Sequence, residues 1–398
     1  MRLLADSTKC SGRSEIRLLV NTSMLRFGGA VQVALSFIHE CRRHAEHEFH
    51  VVLGPGVAAS LNETDFPANF QFYHKSFGVV GLRTPRRVQR EMAALEARIQ
   101  PDCIVTTSGP SYWRSRAPHL MGFNLGLYIY PESPYLRDLP RIRKFRLSAR
   151  RWLHCRYFRR DADAFIVQTN DVNRRVRDLF HTDQVHTVTN NHNAWYSDPP
   201  TFGPRLPPRG ADTFRLLTLS SYYPHKNLDL IPNVIEALPE RISARVEFVL
   251  TLSEHEYKAR IGAVLPDQIQ LTGPVSPPEC PSLYAECDAM FLPTLSECFS
   301  ASYPEAMKMR KPIITSDLGF ARSICGDAAL YFAPRDAASA AQQITRLVDD
   351  AALRHSLRER GAGRLAAFDT PAQRADKILE ICEKLIGKPA LTDTGMNR

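Results

Sequence analysis

The sequence has no run of apolar residues near the ~18 that a membrane-spanning helix needs, and its mean hydropathy is −0.26. A spanning segment is therefore not expected. Residues 1–20 lack the apolar core of a secretory signal, so the chain is expected in the cytoplasm. Its nine cysteines include no pair at Cys-x-x-Cys spacing. An odd number without a framework excludes a disulfide-stapled fold and a zinc knuckle, and it predicts reduced thiols. Low-complexity tracts and short repeats are also absent. With 44% hydrophobic and 23% charged residues, the chain is globular rather than disordered. Its 398 residues suit two domains of ordinary size.

Acidic residues are scarce in one half only. Residues 1–200 hold 28 basic and 18 acidic side chains, and the remainder 23 and 24. The excess concentrates between Arg137 and Arg160, where Arg141, Arg143, Lys144, Arg146, Arg150, Arg151, Arg156 and Arg159 face Asp138 alone. Such a stretch suits an anionic membrane surface or an acidic acceptor, with a solvated helix face as the plain alternative. Nucleic acid is not expected as a partner, because the chain has no base-reading motif and its second half is not basic.

Short β-branched and apolar runs alternate with helical stretches. Strands are predicted at Ile16–Val20, Phe49–Leu53, Cys103–Thr106, His119–Phe123, Phe165–Gln168 and Val185–Thr189. Residues 198–210 hold five prolines and two glycines, a density that breaks helix and sheet and reads as a linker. Strands then resume at Phe214–Leu219, Val246–Leu250, Ile269–Leu271, Ala289–Leu292, Pro312–Thr315 and Leu330–Phe332. Helices are predicted from Gly29 and around Leu228–Ala237, Pro277–Ala285, Tyr303–Met309, Ala337–Val348 and Ala372–Ile386. This alternation predicts two α/β domains with mostly parallel sheets. The expected division is 1–197, a linker at 198–212, 213–370, and a last helix with its tail at 371–398. That helix either caps the second domain or crosses back, and residues 388–398 are expected to fray.

The strongest local signal lies between Phe291 and Asp317. A strand ends at Pro293, a loop carries Glu297, and a helix opens near Ser302, expected as its N-cap, with Pro304 in the first turn. A strand's carboxyl end facing a helix N-terminus suits a diphosphate. Glu297 and Glu305, with seven residues between them, can face one ligand, and a carboxylate accepts two hydroxyl donors, as from ribose or a sugar diol. The second signal is Pro224-His225-Lys226-Asn227-Leu228, which places an ammonium before a helix where it can neutralise a phosphate leaving group. Cys298 reads as a small filler, since no companion base accompanies it.

These motifs, with Leu271-Thr272-Gly273-Pro274-Val275 between them and Gly326–Pro334 after them, resemble the retaining glycosyltransferases of family four. The resemblance covers about residues 214–335. It implies the GT-B fold: two Rossmann-like, doubly wound parallel-sheet domains facing a central cleft. The implied reaction moves a sugar from a nucleotide diphosphate sugar, UDP- or GDP-linked, to an acceptor hydroxyl, with retention and without a metal. By the resemblance, Lys226 and Glu297 are catalytic. Glu305 holds the ribose, Gly273 and Val275 lie near the base, and Phe299, Ser300 and Ala301 meet sugar and phosphate. Gly28, Gly29, Ser108, Gly109 and Asn124 are the acceptor-side candidates. The implied acceptor is a glycan or a lipid-linked sugar in cell-envelope polysaccharide or lipopolysaccharide assembly, with the enzyme peripheral at the inner membrane face.

The pattern departs from the family in three places. Ser220 and Ser221 stand where Gly-Arg is usual, so another cation or these hydroxyls must replace the arginine, with Ser221 a donor-binding candidate, and Cys298 and Ser300 replace loop glycines. Arg310 stands where a glycine commonly ends the helix. A non-catalytic nucleotide-sugar binder and a sugar-nucleotide epimerase are the alternatives.

Overall fold

The structure, a computed structural model, describes residues 15–387 apart from Val79, Leu82 and Ala263. The expectations for the start of the chain before Glu15 and for 388–398 lie outside the described residues. No described helix is long and apolar enough to cross a membrane. The eight described cysteines are all buried free thiols.

Among the described residues, thirteen strands form two sheets. The first comprises β1 (Arg17–Asn21), β2 (Glu48–Leu53), β3 (Phe70–His74), β4 (Cys103–Thr106), β5 (His119–Gly122), β6 (Ala164–Val167) and β7 (Val185–Thr187), in the order β3-β2-β1-β4-β5-β6-β7. The second comprises β8 (Phe214–Thr218), β9 (Val246–Leu250), β10 (Ile269–Leu271), β11 (Ala289–Leu292), β12 (Ile313–Ser316) and β13 (Ala329–Phe332), in the order β10-β9-β8-β11-β12-β13. Adjacent strands pair in parallel, as β8 does with β9 and β11. Both orders are doubly wound. Each reverses direction beside its first strand, and the crevice at that switch point, outside the carboxyl ends, is where such sheets take ligands.

The strands were legible because most are buried on both faces. Burial runs unbroken through β4, β6, β8, β11 and β12, as expected of a parallel sheet covered by helices. β3 is an addition to the predicted set. It sits at a sheet edge and its burial is broken, so Phe-Gln-Phe-Tyr-His carries no continuous apolar signal. Around the second sheet, Leu216, Phe248, Leu250, Phe291 and Ile314 meet Ile231 and Val234 of the helix Leu230–Ala237 and Ile344 of the helix Ala337–Asp349. Each such side chain contributes about 1.5–3 kcal/mol through burial.

The chain divides into two compact units. One runs to Met121 and takes in Arg160–Asp163 and the chain from Leu379; the other holds Gly122–Arg159 and Ala164–Ile378. β6, β7, the proline-rich stretch and the whole second sheet therefore lie in the second unit.

Arg310 takes the backbone shape that glycine would favour. Its φ is +57°, and the turn closes by Arg310 N–H donating to Met307 O at 3.0 Å and Lys311 N–H to Ala306 O at 2.8 Å. A left-handed conformation costs a residue with a Cβ about 1–2 kcal/mol. The exposed Arg310–Glu359 ion pair offsets little of that. Arg310→Gly is expected to raise stability by about 1 kcal/mol. Chemical denaturation checks this, and an unchanged or lowered midpoint would contradict it.

Candidate active site

The two strands flanking the switch point of the second sheet, β8 and β11, each feed a loop that carries one of the predicted charges. After β8 the chain passes Ser220 and Ser221 and enters a 3-10 turn, Pro224–Lys226, closed by Asn227 at φ +57°. Lys226 thus precedes the helix Leu230–Ala237 from within a tight turn. After β11 the loop runs through Thr294 to Ser300. The loops are tied together: Leu295 N–H donates to His225 O at 2.7 Å.

This tie brings Lys226 and Glu297 into contact. The Lys226 ammonium donates to Glu297 Oε1 at 2.6 Å, with side-chain exposures of 14% and 12%. The Thr294 hydroxyl donates to the same oxygen at 2.9 Å. Glu305 lies in the first turn of the helix Ser302–Lys308. Burial pushes its carboxyl up to about 7, against the opposing pull of the Tyr196 hydroxyl and the Lys226 ammonium. Lys226 therefore acts on both glutamates, directly on one and through its field on the other. His225, between the rings of Tyr223 and Tyr135, is pushed down by burial, which outweighs the upward pull of Glu297. Its ring favours the neutral form.

One expectation for this loop needs correction. Ser302 is not the N-cap. The cap position is Ala301, without a side-chain bond, and the Ser302 hydroxyl donates to Leu219 O at 3.4 Å. This bond fastens the helix start to the end of β8. Neither Cys298 nor Ser300 takes a left-handed φ, so the loop holds these side chains without backbone strain. Cys298 is buried, and burial together with Glu297 pushes its thiol well above the ordinary range. It stays protonated and fills space.

The other donor-side residues lie at the same carboxyl ends. Ser300 is buried, Ala301 is exposed, and Phe299 packs edge-on against Phe368 at 6.1 Å. Gly273 follows β10 at φ +70° with open space where a side chain would stand, and Val275 is half-buried. Ser221 is exposed.

In the first unit, Gly28 and Gly29 open the helix Gly29–Glu40. Gly28 has φ +83°, and at both glycines the space that a Cβ would enter is open for 4 Å around. Ser108 and Gly109 follow β4, which pairs with β1 at that sheet's own switch point. Asn124, exposed, belongs to the second unit.

Three contributors escaped the sequence reading. Thr294 has no motif beyond its place three residues before Glu297. Tyr196 comes from a 3-10 turn about a hundred residues before Glu305. Gly126 packs its backbone against the loop, where an added Cβ would lie 3.0 Å from the Glu297 carbonyl carbon and 3.2 Å from Cys298 N. Only the fold could show these contacts. Nearby, Ser133 Oγ donates to Leu295 O at 2.7 Å, so residues 126–135 brace the loop from one side.

Residues 208–364 match the family described as Glycosyl transferases group 1. That segment spans β8 to β13 and holds Lys226, Glu297 and Glu305. A comparison with curated proteins finds no match. Among solved structures, the chain is similar to a glycosyltransferase from Rickettsia africae ESF-5, at 15% identity and TM-score 0.70 over 95% of this chain and 100% of that one. It is also similar to Anabaena HepE in complex with UDP and glucose, at 14% identity and TM-score 0.66 over 93% and 100%. A third is WaaG, a glycosyltransferase involved in lipopolysaccharide biosynthesis, at 14% identity and TM-score 0.65 over 94% and 100%. At these identities the likeness establishes the fold, which is GT-B.

Proposed function

For a chain whose residues 208–364 are a glycosyl transferases group 1 segment on a GT-B fold, we propose a retaining transfer of a sugar from a nucleotide diphosphate sugar to an acceptor hydroxyl. The observation that carries this reading is the Lys226–Glu297 pair at the switch point, with Glu305 in the helix that follows. In the reaction, the bond between the anomeric carbon and the diphosphate oxygen breaks and its electron pair leaves with the nucleoside diphosphate. The acceptor oxygen bonds to that carbon and gives up its proton to the departing diphosphate oxygen. Lys226 neutralises the charge that grows on the leaving diphosphate, at a site where water is largely excluded. This supplies the positive charge without a metal.

Glu297, fixed by Lys226 and Thr294, accepts hydrogen bonds from the transferred sugar. Glu305 accepts both ribose hydroxyls, a role that only the ionised carboxylate fills completely. The acceptor belongs to the N-terminal half, with Gly28, Gly29, Ser108, Gly109 and Asn124 as its candidate contacts. The complexes of HepE make UDP the first nucleotide to try, and the role of WaaG supports an envelope glycan or glycolipid as product. Release of nucleoside diphosphate from a panel of UDP- and GDP-sugars, in chelator, tests the reading. A non-catalytic binder would bind one of them and release nothing.

A further inference from the structure

The helix Arg141–Asp161 is 21 residues long and carries two apolar stripes. One faces its own unit: Cys155 and Phe158 are buried, Phe158 packing on Phe123, Phe165 and Phe180. His154 Nδ1 lies 2.9 Å from the Tyr128 hydroxyl. The other stripe faces solvent. Ile142 is 59% exposed, Phe145 70%, Trp152 67% and Leu153 41%. At ~100° per residue these four fall within an arc of roughly 100° opposite the buried stripe. A solvated helix face would be polar there.

The flanks of the exposed stripe are cationic. Among the described residues, no carboxylate pairs with Arg141, Arg143, Arg146, Arg150 or Arg156. Exposed aromatic and aliphatic side chains between unpaired guanidinium groups match the boundary between acyl chains and anionic headgroups. A protein partner would have to bring an acidic, apolar groove. A nucleic acid would leave Ile142 and Leu153 without a counterpart.

We infer that this helix is a bilayer-docking element that takes anionic lipid: Ile142, Phe145, Trp152 and Leu153 enter the headgroup boundary while the arginines hold phosphates. The inference rests on the proposed transfer and gives its acceptor a location. The segment leading into the helix, 126–137, is the one that braces the Glu297 loop through Gly126 and Ser133. Arg151 in turn donates to Tyr128 O at 2.9 Å. Docking surface and donor loop thus belong to one packed unit, which suits an acceptor held at a membrane.

Vesicle flotation of the full chain tests this, with phosphatidylcholine alone and with added phosphatidylglycerol, at low and high salt. The wild type is expected to float with anionic vesicles only and to be released by salt. Ile142→Ser/Phe145→Ser/Trp152→Ser, and separately Arg143→Glu/Lys144→Glu/Arg146→Glu, should each lower binding about tenfold or more. Melting temperature and donor turnover should be unchanged, since these side chains are exposed. Equal binding to neutral vesicles, no binding, or an apolar variant that binds like the wild type would overturn the inference. Capture by RNA with no vesicle binding would overturn it as well. Lost vesicle binding with intact turnover counts against docking alone, whereas absent turnover in the wild type counts against the proposed reaction.

Discussion

Lys226→Ala is expected to lower sugar transfer by about 10²–10³-fold while the chain stays folded. Lys226 is the cation in contact with Glu297, and its field also reaches Glu305. Without it, the diphosphate charge that builds as the anomeric bond breaks meets no ammonium. The loss should therefore fall mainly on turnover, with a smaller effect on donor affinity. The substitution also orphans a carboxylate that is 12% exposed and leaves it only the Thr294 hydroxyl. The cost is about 1–3 kcal/mol of stability, read as a lowered melting temperature. Lys226→Ala/Glu297→Gln removes that orphaned charge, so it should recover the melting temperature and remain inactive. This separates loss of chemistry from loss of fold. Wild-type turnover in Lys226→Ala would end the leaving-group role.

Donor affinity is expected to rise with pH through about 7. Glu305 is the group, because burial raises its carboxyl to about that value, and a ribose diol needs the ionised form. Affinity for an intact nucleotide sugar, whose diphosphate does not titrate here, should increase about tenfold from pH 6 to pH 8 and then level. Glu305→Gln should bind weakly at every pH and show no such rise. A rise that persists in Glu305→Gln would assign the titration to another group, and a flat wild-type profile would remove Glu305 from the ribose site. The sign for the free protein is the reverse. A raised carboxyl pKa means the folded state holds a proton that the unfolded state has released, so this term weakens stability as pH climbs from the ordinary carboxylate range to about 7. Bound donor should cancel that decline.

What the sequence made legible follows its physics. Among the described residues, twelve of the thirteen strands were expected, most of them because a covered parallel strand is largely apolar. Edge strand β3, with Gln71 between Phe70 and Phe72, was not, although edge strand β10 has the same pattern, Gln270 between Ile269 and Leu271, and was expected. The charges of the site were legible because Lys226 and Glu297 each follow a strand end and Glu305 lies in the first turn of the next helix, and strand ends meet at the switch point. Their mutual geometry was not. The Lys226–Glu297 contact depends on the pairing of β8 with β11 and on the backbone bond between Leu295 and His225. Thr294, Tyr196 and Gly126 depend on packing between segments distant in sequence. The basic stretch was visible as charge, but its exposed apolar stripe was not. The opposite faces of that helix cancel as a periodic signal, and only the fold shows which of them is covered.

The central claim is that the Lys226, Glu297 and Glu305 site breaks a sugar–diphosphate bond. The most direct measurement is release of nucleoside diphosphate by the wild-type chain from single UDP- and GDP-sugars in chelator, with vesicles of envelope lipid as acceptor source. Release from one donor is expected, with product formed in equal amount and the anomeric configuration kept. Binding of a donor without release, or release only when a divalent metal is restored, would contradict it.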